Sequence, residues 1–273
     1  MSDRVTIAIE DGIADVRLSR PEKMNALDQA MFVALTEAGK QLADDKQLRA
    51  VVLSGEGKAF CAGLDFMSFQ GMASRADEAS GQEKTPGLLD NLGSPHTTFA
   101  QYAAWVWNQL PVPVLAAVHG VAFGGGIQIA LAADIRFATP DARFSVMEIK
   151  WGLVPDMTGT QTLRNLVPLD VAKELTFTGR ILSGTEAAEL GLVTHLAEDP
   201  RAAAFELARE IAARSPSAVR AGKQLLNGSR NLSVEEGLRL EVALQKSVIG
   251  GPNQVEAVMA NVQKRAPEFT DPD

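Results

Sequence analysis

His119–Gly120–Val121–Ala122–Phe123–Gly124–Gly125–Gly126–Ile127–Gln128 is the stretch on which the reading of this chain turns. It follows an apolar, strand-like run, Pro113 to Val118, and opens a helix-like run, Ile127 to Ala133. Glycines between a strand and a helix let the backbone turn sharply and bring bare amides close to a ligand. Those amides sit at a helix N-terminus, where unpaired N–H groups and the helix dipole favour negative charge. A second turn of the same kind, Lys58–Ala59–Phe60–Cys61–Ala62–Gly63–Leu64–Asp65, follows the apolar strand Ala50 to Ser54. Two such turns can supply two amides to one developing oxyanion. Taken singly, each is also ordinary chain geometry, so the surrounding sequence has to decide.

Working outward, Val5 to Glu10 and Ile13 to Leu18 alternate apolar and polar residues around Asp11–Gly12, the pattern of a tight β-hairpin. From Asp28 to Leu42, Phe32, Leu35, Ala38, Gln41 and Leu42 recur at helical spacing. Short strands are expected at Ile135–Ala138 and Arg143–Val146, and strands alternating with helices favour an α/β layout. Met67 to Pro95 is polar and rich in turn formers, which suits a lid or binding loop and equally a solvated surface loop. From Pro200 the chain reads as helix after helix: Ala202–Arg214, Ser217–Leu226, a third opened by the capping box Ser233–Val234–Glu235–Glu236, and a fourth from Pro252 to Arg265. The expected organisation is an α/β core over residues 1–200 and a helical region over 201–273.

The bulk composition narrows the function classes. Hydrophobic residues make up 46% of the 273 and charged residues 22%, a balance typical of globular domains rather than disordered chains. The formal net charge of −8 disfavours nonspecific nucleic-acid or membrane binding, although local lysines and arginines can still hold phosphates. One cysteine, Cys61, cannot form an internal disulfide, which suits a reducing compartment and a packing role for that thiol. The start, Met1–Ser2–Asp3–Arg4, has no signal-peptide pattern, and no apolar run approaches the roughly 20 residues of a membrane span. A cytoplasmic location is expected. His96, His119 and His195 lack metal-ligand spacing, so no metal is expected, and Gly124–Gly125–Gly126 matches neither a dinucleotide fingerprint nor a Walker loop.

Phe60–Cys61–Ala62–Gly63–Leu64–Asp65, the segment from His119 to Gln128, Phe144–Ser145–Val146–Met147–Glu148–Ile149 and Gly152–Leu153–Val154–Pro155 occur in that order. With Arg20–Pro21–Glu22–Lys23–Met24–Asn25–Ala26–Leu27 near the start and Thr178–Gly179–Arg180, Ala187 and Gly191–Leu192–Val193 later, the chain resembles the enoyl-CoA hydratase/isomerase (crotonase) superfamily from about Val5 to Phe269. The resemblance implies a crotonase-like ββα superhelix core and a C-terminal helical trimerisation region, giving a homotrimer or a hexamer. It also implies an acyl-CoA thioester as substrate and no cofactor, CoA being part of that substrate.

The resemblance assigns the oxyanion amides to Leu64 and Gly125 and the acid/base carboxylate to Glu148. From the residues alone, Glu148 reads as a surface glutamate in a loop. Gln128 stands where hydratases carry a second glutamate: an amide can hold water but cannot take its proton. Asp156 stands where dienoyl-CoA isomerases carry an aspartate, and its plain reading is the N-cap of the helix through Thr162–Leu163. The expected activity is therefore enoyl- or dienoyl-CoA double-bond isomerisation by Glu148, aided by Asp156. Hydration and non-catalytic acyl-CoA binding are the alternatives. For CoA, the resemblance points to Lys23, Ala26, Lys58, Ala62 and Asp65, and more weakly to Lys264 and Arg265; either lysine also reads as a solvated surface residue. Trp151 reads as core packing or as a wall of the acyl pocket.

Overall fold

The computed structural model describes residues 4–65, 67, 87–91 and 97–272; most of the irregular stretch from Met67 to Pro95, and His96, lie outside them. Strands β1 (Val5–Glu10) and β2 (Ile13–Leu18) form the expected antiparallel hairpin. Asp11 and Gly12 take φ of 50° and 75°, the left-handed pair a two-residue hairpin turn requires. Helix α1 (Gln29–Ala43) follows, with Asp28 Oδ1 accepting from Met31 N at 2.8 Å as its N-cap. Its buried stripe includes Phe32, Leu35, Ala38 and Leu42, whereas Gln41 is exposed.

Next come β3 (Ala50–Gly55), α2 (Phe99–Gln109), β4 (Val114–Val118), β5 (Val121–Phe123), α3 (Gly125–Ala132), β6 (Ile135–Ala138) and β7 (Arg143–Ser145). A short 3-10 turn at Met147–Trp151 leads to α4 (Gly159–Leu166), α5 (Leu169–Thr178), β8 (Leu182–Ser183), α6 (Gly184–Glu189) and β9 (His195–Leu196). Among the described residues the strands build two sheets. The larger runs β1-β2-β3-β4-β6-β9, parallel from β2 onward, and the smaller runs β5-β7-β8. The central strand β4 is apolar throughout, and β3 is so up to Ser54, because both sheet faces are covered.

Side-chain alternation sorts the core into two layers. Val51, Leu53, Val114, Ala116 and Val118 join the large cluster that α1, α2 and the fully buried α3 complete. Ala50, Val52, Leu115 and Ala117 face the other way, onto Ala204 and Ala208 of α7 (Pro200–Ala212). The core therefore runs past residue 200. The division expected there cuts between a sheet and the helix that covers it, and the helices that stand off the sheet begin with α8 (Pro216–Ser229). In α9 (Val234–Val248) both halves of the Ser233/Glu236 capping box form, yet no residue of this helix is buried. The last helix, α10, spans Pro252–Gln263 and ends at Lys264 in a left-handed conformation.

Candidate active site

Backbone hydrogen bonds zip the two glycine turns together. Cys61 N donates to Val121 O at 3.0 Å and Phe123 N returns to Cys61 O at 3.0 Å. The approach leaves no room for side chains: a Cβ on Gly126 would stand 2.4 Å from Cys61 O. One on Gly63 (φ 87°) would stand 2.6 Å from Phe123 O and 3.7 Å from Gly125 N. Leu64 is fixed on both sides, since Leu27 N donates to Gly63 O at 2.8 Å and Asp65 N to Leu27 O at 3.0 Å. Gly125 is the first residue of α3, where the amide has no acceptor within the helix. Leu64 and Gly125 line one cavity of about 530 Å³, together with Glu148, Asp156, Phe32, Phe123 and Trp151.

Glu148 lies on the 3-10 turn and is only 8% exposed. Its Oε1 accepts from Gln128 Nε2 at 2.6 Å, and its Oε2 is buried with no partner among the described residues. Burial raises this carboxyl above the ordinary carboxylate range; bonds from backbone and from Gln128 oppose the rise, and the charge of Asp156 adds to it. A raised carboxyl suits a group that must both take and give protons near neutrality. A Cβ on Gly124 would stand 3.5 Å from Glu148 Oε1, so this carboxylate adjoins the glycine turn.

Gln128 is placed differently from the catalytic, water-holding position expected of it. It is buried behind Glu148 on α3, and its Oε1 accepts from Met157 N at 2.9 Å and Gly159 N at 2.8 Å. Both ends of the amide are thus committed: one end holds Glu148, the other holds the loop that carries Asp156. The capping role of Asp156 is also overturned. The N-cap of α4 is Thr158, in a left-handed conformation without a side-chain cap bond, and Gln128 satisfies the Gly159 amide instead. Asp156 is accessible on the cavity wall, and loss of hydration raises its carboxyl too.

Of the residues expected to hold CoA, Ala62 lines the cavity, and its amide donates to Met24 O at 2.9 Å, beside Ala26. Lys23 and Lys58 are exposed. Asp65 does not offer a free carboxylate: it pairs with Arg20 Nη2 at 2.8 Å, and Arg20 also reaches Asp28 at 3.5 Å. Arg265 is tied to Glu256, with Nη2 2.8 Å from Oε2, beside Lys264. Trp151 is 51% exposed on the cavity wall, which replaces the core-packing reading. Cys61 is fully buried, its thiol is pushed up to about 12 by burial, and Sγ meets Asn25 O at 3.2 Å, as a packing residue would. His119 Nε2 lies 3.0 Å from Gly57 O and His195 stacks on Phe137 at 4.9 Å. No group of three or more potential metal ligands occurs among the described residues.

Asn25 organises this end of the site to an extent that its neighbours in sequence do not reveal. Fully buried with φ 54°, it donates from Nδ2 to Ala59 O at 2.8 Å and Glu56 O at 2.9 Å. Its Oδ1 accepts from Arg20 N at 2.8 Å. The available signal was the residue type, since asparagine tolerates the left-handed region better than most. Asn25→Ala strands three backbone groups, two of them in buried hydrogen bonds, and is expected to lose about 2–4 kcal/mol in urea unfolding.

The chain as a whole has counterparts among known proteins. The model of the enoyl-CoA hydratase/isomerase family matches residues 8–272. This chain belongs to that family. The mouse mitochondrial Delta(3,5)-Delta(2,4)-dienoyl-CoA isomerase is 36% identical over 260 residues, covering 93% of this chain and 77% of the relative. The mouse methylglutaconyl-CoA hydratase is 31% identical over 265 residues, covering 94% and 79%. Among solved structures, an enoyl-CoA hydratase from Bacillus anthracis superposes with a TM-score of 0.85 at 29% identity, covering 97% of this chain and 98% of the other. Both isomerases and hydratases of the hydratase/isomerase family are thus similar to it, and the α/β crotonase fold is shared.

Proposed function

We propose that this chain shifts a double bond within an unsaturated acyl-CoA, with Glu148 and Asp156 as the proton carriers. The amides of Leu64 and Gly125 hold the thioester oxygen as it becomes anionic. One carboxylate takes a proton from the carbon beside the thioester carbonyl, and the electron pair moves onto that oxygen. The other, protonated, gives its proton to a carbon further along the conjugated system as the charge returns. The observation that carries this reading is the engagement of Gln128. With its carbonyl bound to Met157 N and Gly159 N and its amide to Glu148, it cannot replace the second carboxylate that activates water in hydratases. Asp156, on the same cavity wall, supplies the second carboxylate instead. The similarity to dienoyl-CoA isomerase supports the assignment.

The purified protein is to be offered 2-enoyl-, 3-enoyl- and 3,5-dienoyl-CoA while absorbance is followed. Isomerisation of the 3-enoyl or 3,5-dienoyl thioester, lost in both Glu148→Gln and Asp156→Asn, is expected. Fast hydration of 2-enoyl-CoA that survives Asp156→Asn would move the assignment to hydratase. Tight CoA binding without turnover would mark a binding protein. A pH effect accompanies the pair. Because the charge of Asp156 raises Glu148, residual activity in Asp156→Asn should keep its acid limb to a lower pH than the wild type, measured as kcat/KM against pH.

The CoA nucleotide is placed along Lys23, Ala26, Lys58 and Ala62, with Asp65 holding the loop through Arg20 and no separate cofactor. In solution the chain is proposed to form a trimer, or a hexamer of two trimers, in the cytoplasm. Helix α9, which buries nothing in one protomer, and the exposed Val234, Leu238 and Val242 on it support association. Light scattering at micromolar concentration tests this, and a monomer would refute it.

A further inference from the structure

A second recess, about 420 Å³ in volume, opens between α8, the β4 and β6 ends of the sheet, and α4. Arg136 lies in its wall, only 5% exposed. Its guanidinium is pinned by the backbone: Nε donates to Leu192 O at 2.7 Å and Nη1 to Ala133 O at 2.7 Å. The remaining nitrogen, Nη2, has no hydrogen-bond partner among the described residues, and no carboxylate there lies within ion-pair distance of this side chain. A buried charge normally finds a counter-charge, because its lost hydration is otherwise uncompensated.

The acid in the recess is already taken. Asp134 Oδ2 accepts from Lys223 Nζ at 2.7 Å and from Val114 N at 2.8 Å, and Lys223 also donates to Val112 O at 2.9 Å. Asp134 also attracts Arg136 from a distance, but it is the one acid in the lining against three cations, Arg136, Lys223 and Arg230, so the recess is net positive. Arg230, at the C-terminus of α8, lines the same recess, has no ion pair among the described residues, and lies close enough to act on Arg136 electrostatically. Two guanidinium groups without an ion pair among the described residues thus line one recess in a chain of net charge −8.

We propose that this recess binds a small oxyanion, a carboxylate or phosphate group, on the free Nη2 edge of Arg136 with Arg230 as the second cation. A planar guanidinium whose other edges are already fixed presents its remaining N–H groups in a set direction, which suits oxygen anions better than chloride. The site is separate from the acyl-CoA cavity, with which it shares no lining residue, and the inference does not depend on the proposed reaction.

The test uses the intact protein with inorganic phosphate and with succinate, each at constant ionic strength made up with sodium chloride. A saturable rise in Tm, together with heat of binding by calorimetry, is expected, and it should persist with CoA at saturation. Arg230→Gln, at an exposed residue whose side chain makes no hydrogen bond or ion pair among the described residues, should weaken the apparent affinity about tenfold while Tm without the anion stays unchanged. A shift matched by chloride alone, a shift abolished by CoA, or equal affinity in Arg230→Gln overturns the proposal. So does a crystal structure in which a carboxylate of a second copy of this chain occupies Arg136 Nη2.

Discussion

Glu148→Gln is expected to lower turnover of whichever acyl-CoA thioester the wild type converts by about 10²–10⁴-fold, the usual range for losing a positioned acid/base group. The substitution keeps the shape of the side chain and an oxygen to accept from Gln128 Nε2, so the local bonding survives. What disappears is the ability to carry a proton. Stability should respond in the opposite sense. Burial raises the Glu148 carboxyl in the folded chain, so its ionised form is held there at a cost relative to the unfolded chain. The stability this residue contributes is fully present below the pKa of the unfolded chain and is lost as pH rises through the higher, folded value. Removing the charge should therefore leave the variant as stable as the wild type in acid and equally or more stable at neutral pH. Thermal melts from acid to neutral pH, run beside single-turnover kinetics, read both effects. Retained turnover would remove Glu148 from the chemistry, and a large loss of stability at neutral pH would contradict the account of its environment.

The parts of this fold set by local rules were readable in the sequence. Asp11–Gly12 marks a hairpin because only certain residues accept left-handed backbone, and Ser233 with Glu236 marks a helix start because the two side chains cap each other. Gly63 and Gly126 announce a close approach but not what they approach; the answers, Phe123 O and Cys61 O, lie some 60 residues away in the chain. Gln128 was readable as the absence of a carboxylate, whereas its bonds to Met157 N and Gly159 N depend on a loop that packs against α3 only in the folded chain. For the same reason Asp156 looked like a helix cap. Proximity in sequence to α4 is real, but the Gly159 amide is satisfied from another element. The packing of α7 across the expected boundary at residue 200 was not legible, because a change from mixed strands to consecutive helices is a change of composition. Ala204 and Ala208 carry no sign of the strands they cover, being small enough for either a packed or an exposed face.

Gly63→Ala should damage catalysis more than binding. At φ 87° an alanine is strained, and its Cβ would meet Phe123 O at 2.6 Å, a backbone atom that cannot swing aside as a side chain can. Relief requires the Gly63–Leu64 segment to move away from the Phe123–Gly125 segment, and these are the two segments whose amides are proposed to hold the thioester oxygen. Gly125 itself is the milder position, since a Cβ there would meet the ends of Leu27 and Met157, both at 2.7 Å and both side chains able to shift. Loss of one aligned donor in such a hole typically costs about 10²–10³ in turnover. Gly63→Ala is therefore expected to lower kcat by about that factor while KM changes little, because the proposed ground-state binding of CoA along Ala26 and Ala62 does not need the oxyanion geometry. Gly125→Ala should fall between this variant and the wild type. Steady-state kinetics on the two variants and the wild type, with melting curves to exclude unfolding, distinguish the cases. If Gly63→Ala raised KM and left kcat intact, the two turns would serve to hold CoA rather than to stabilise the enolate.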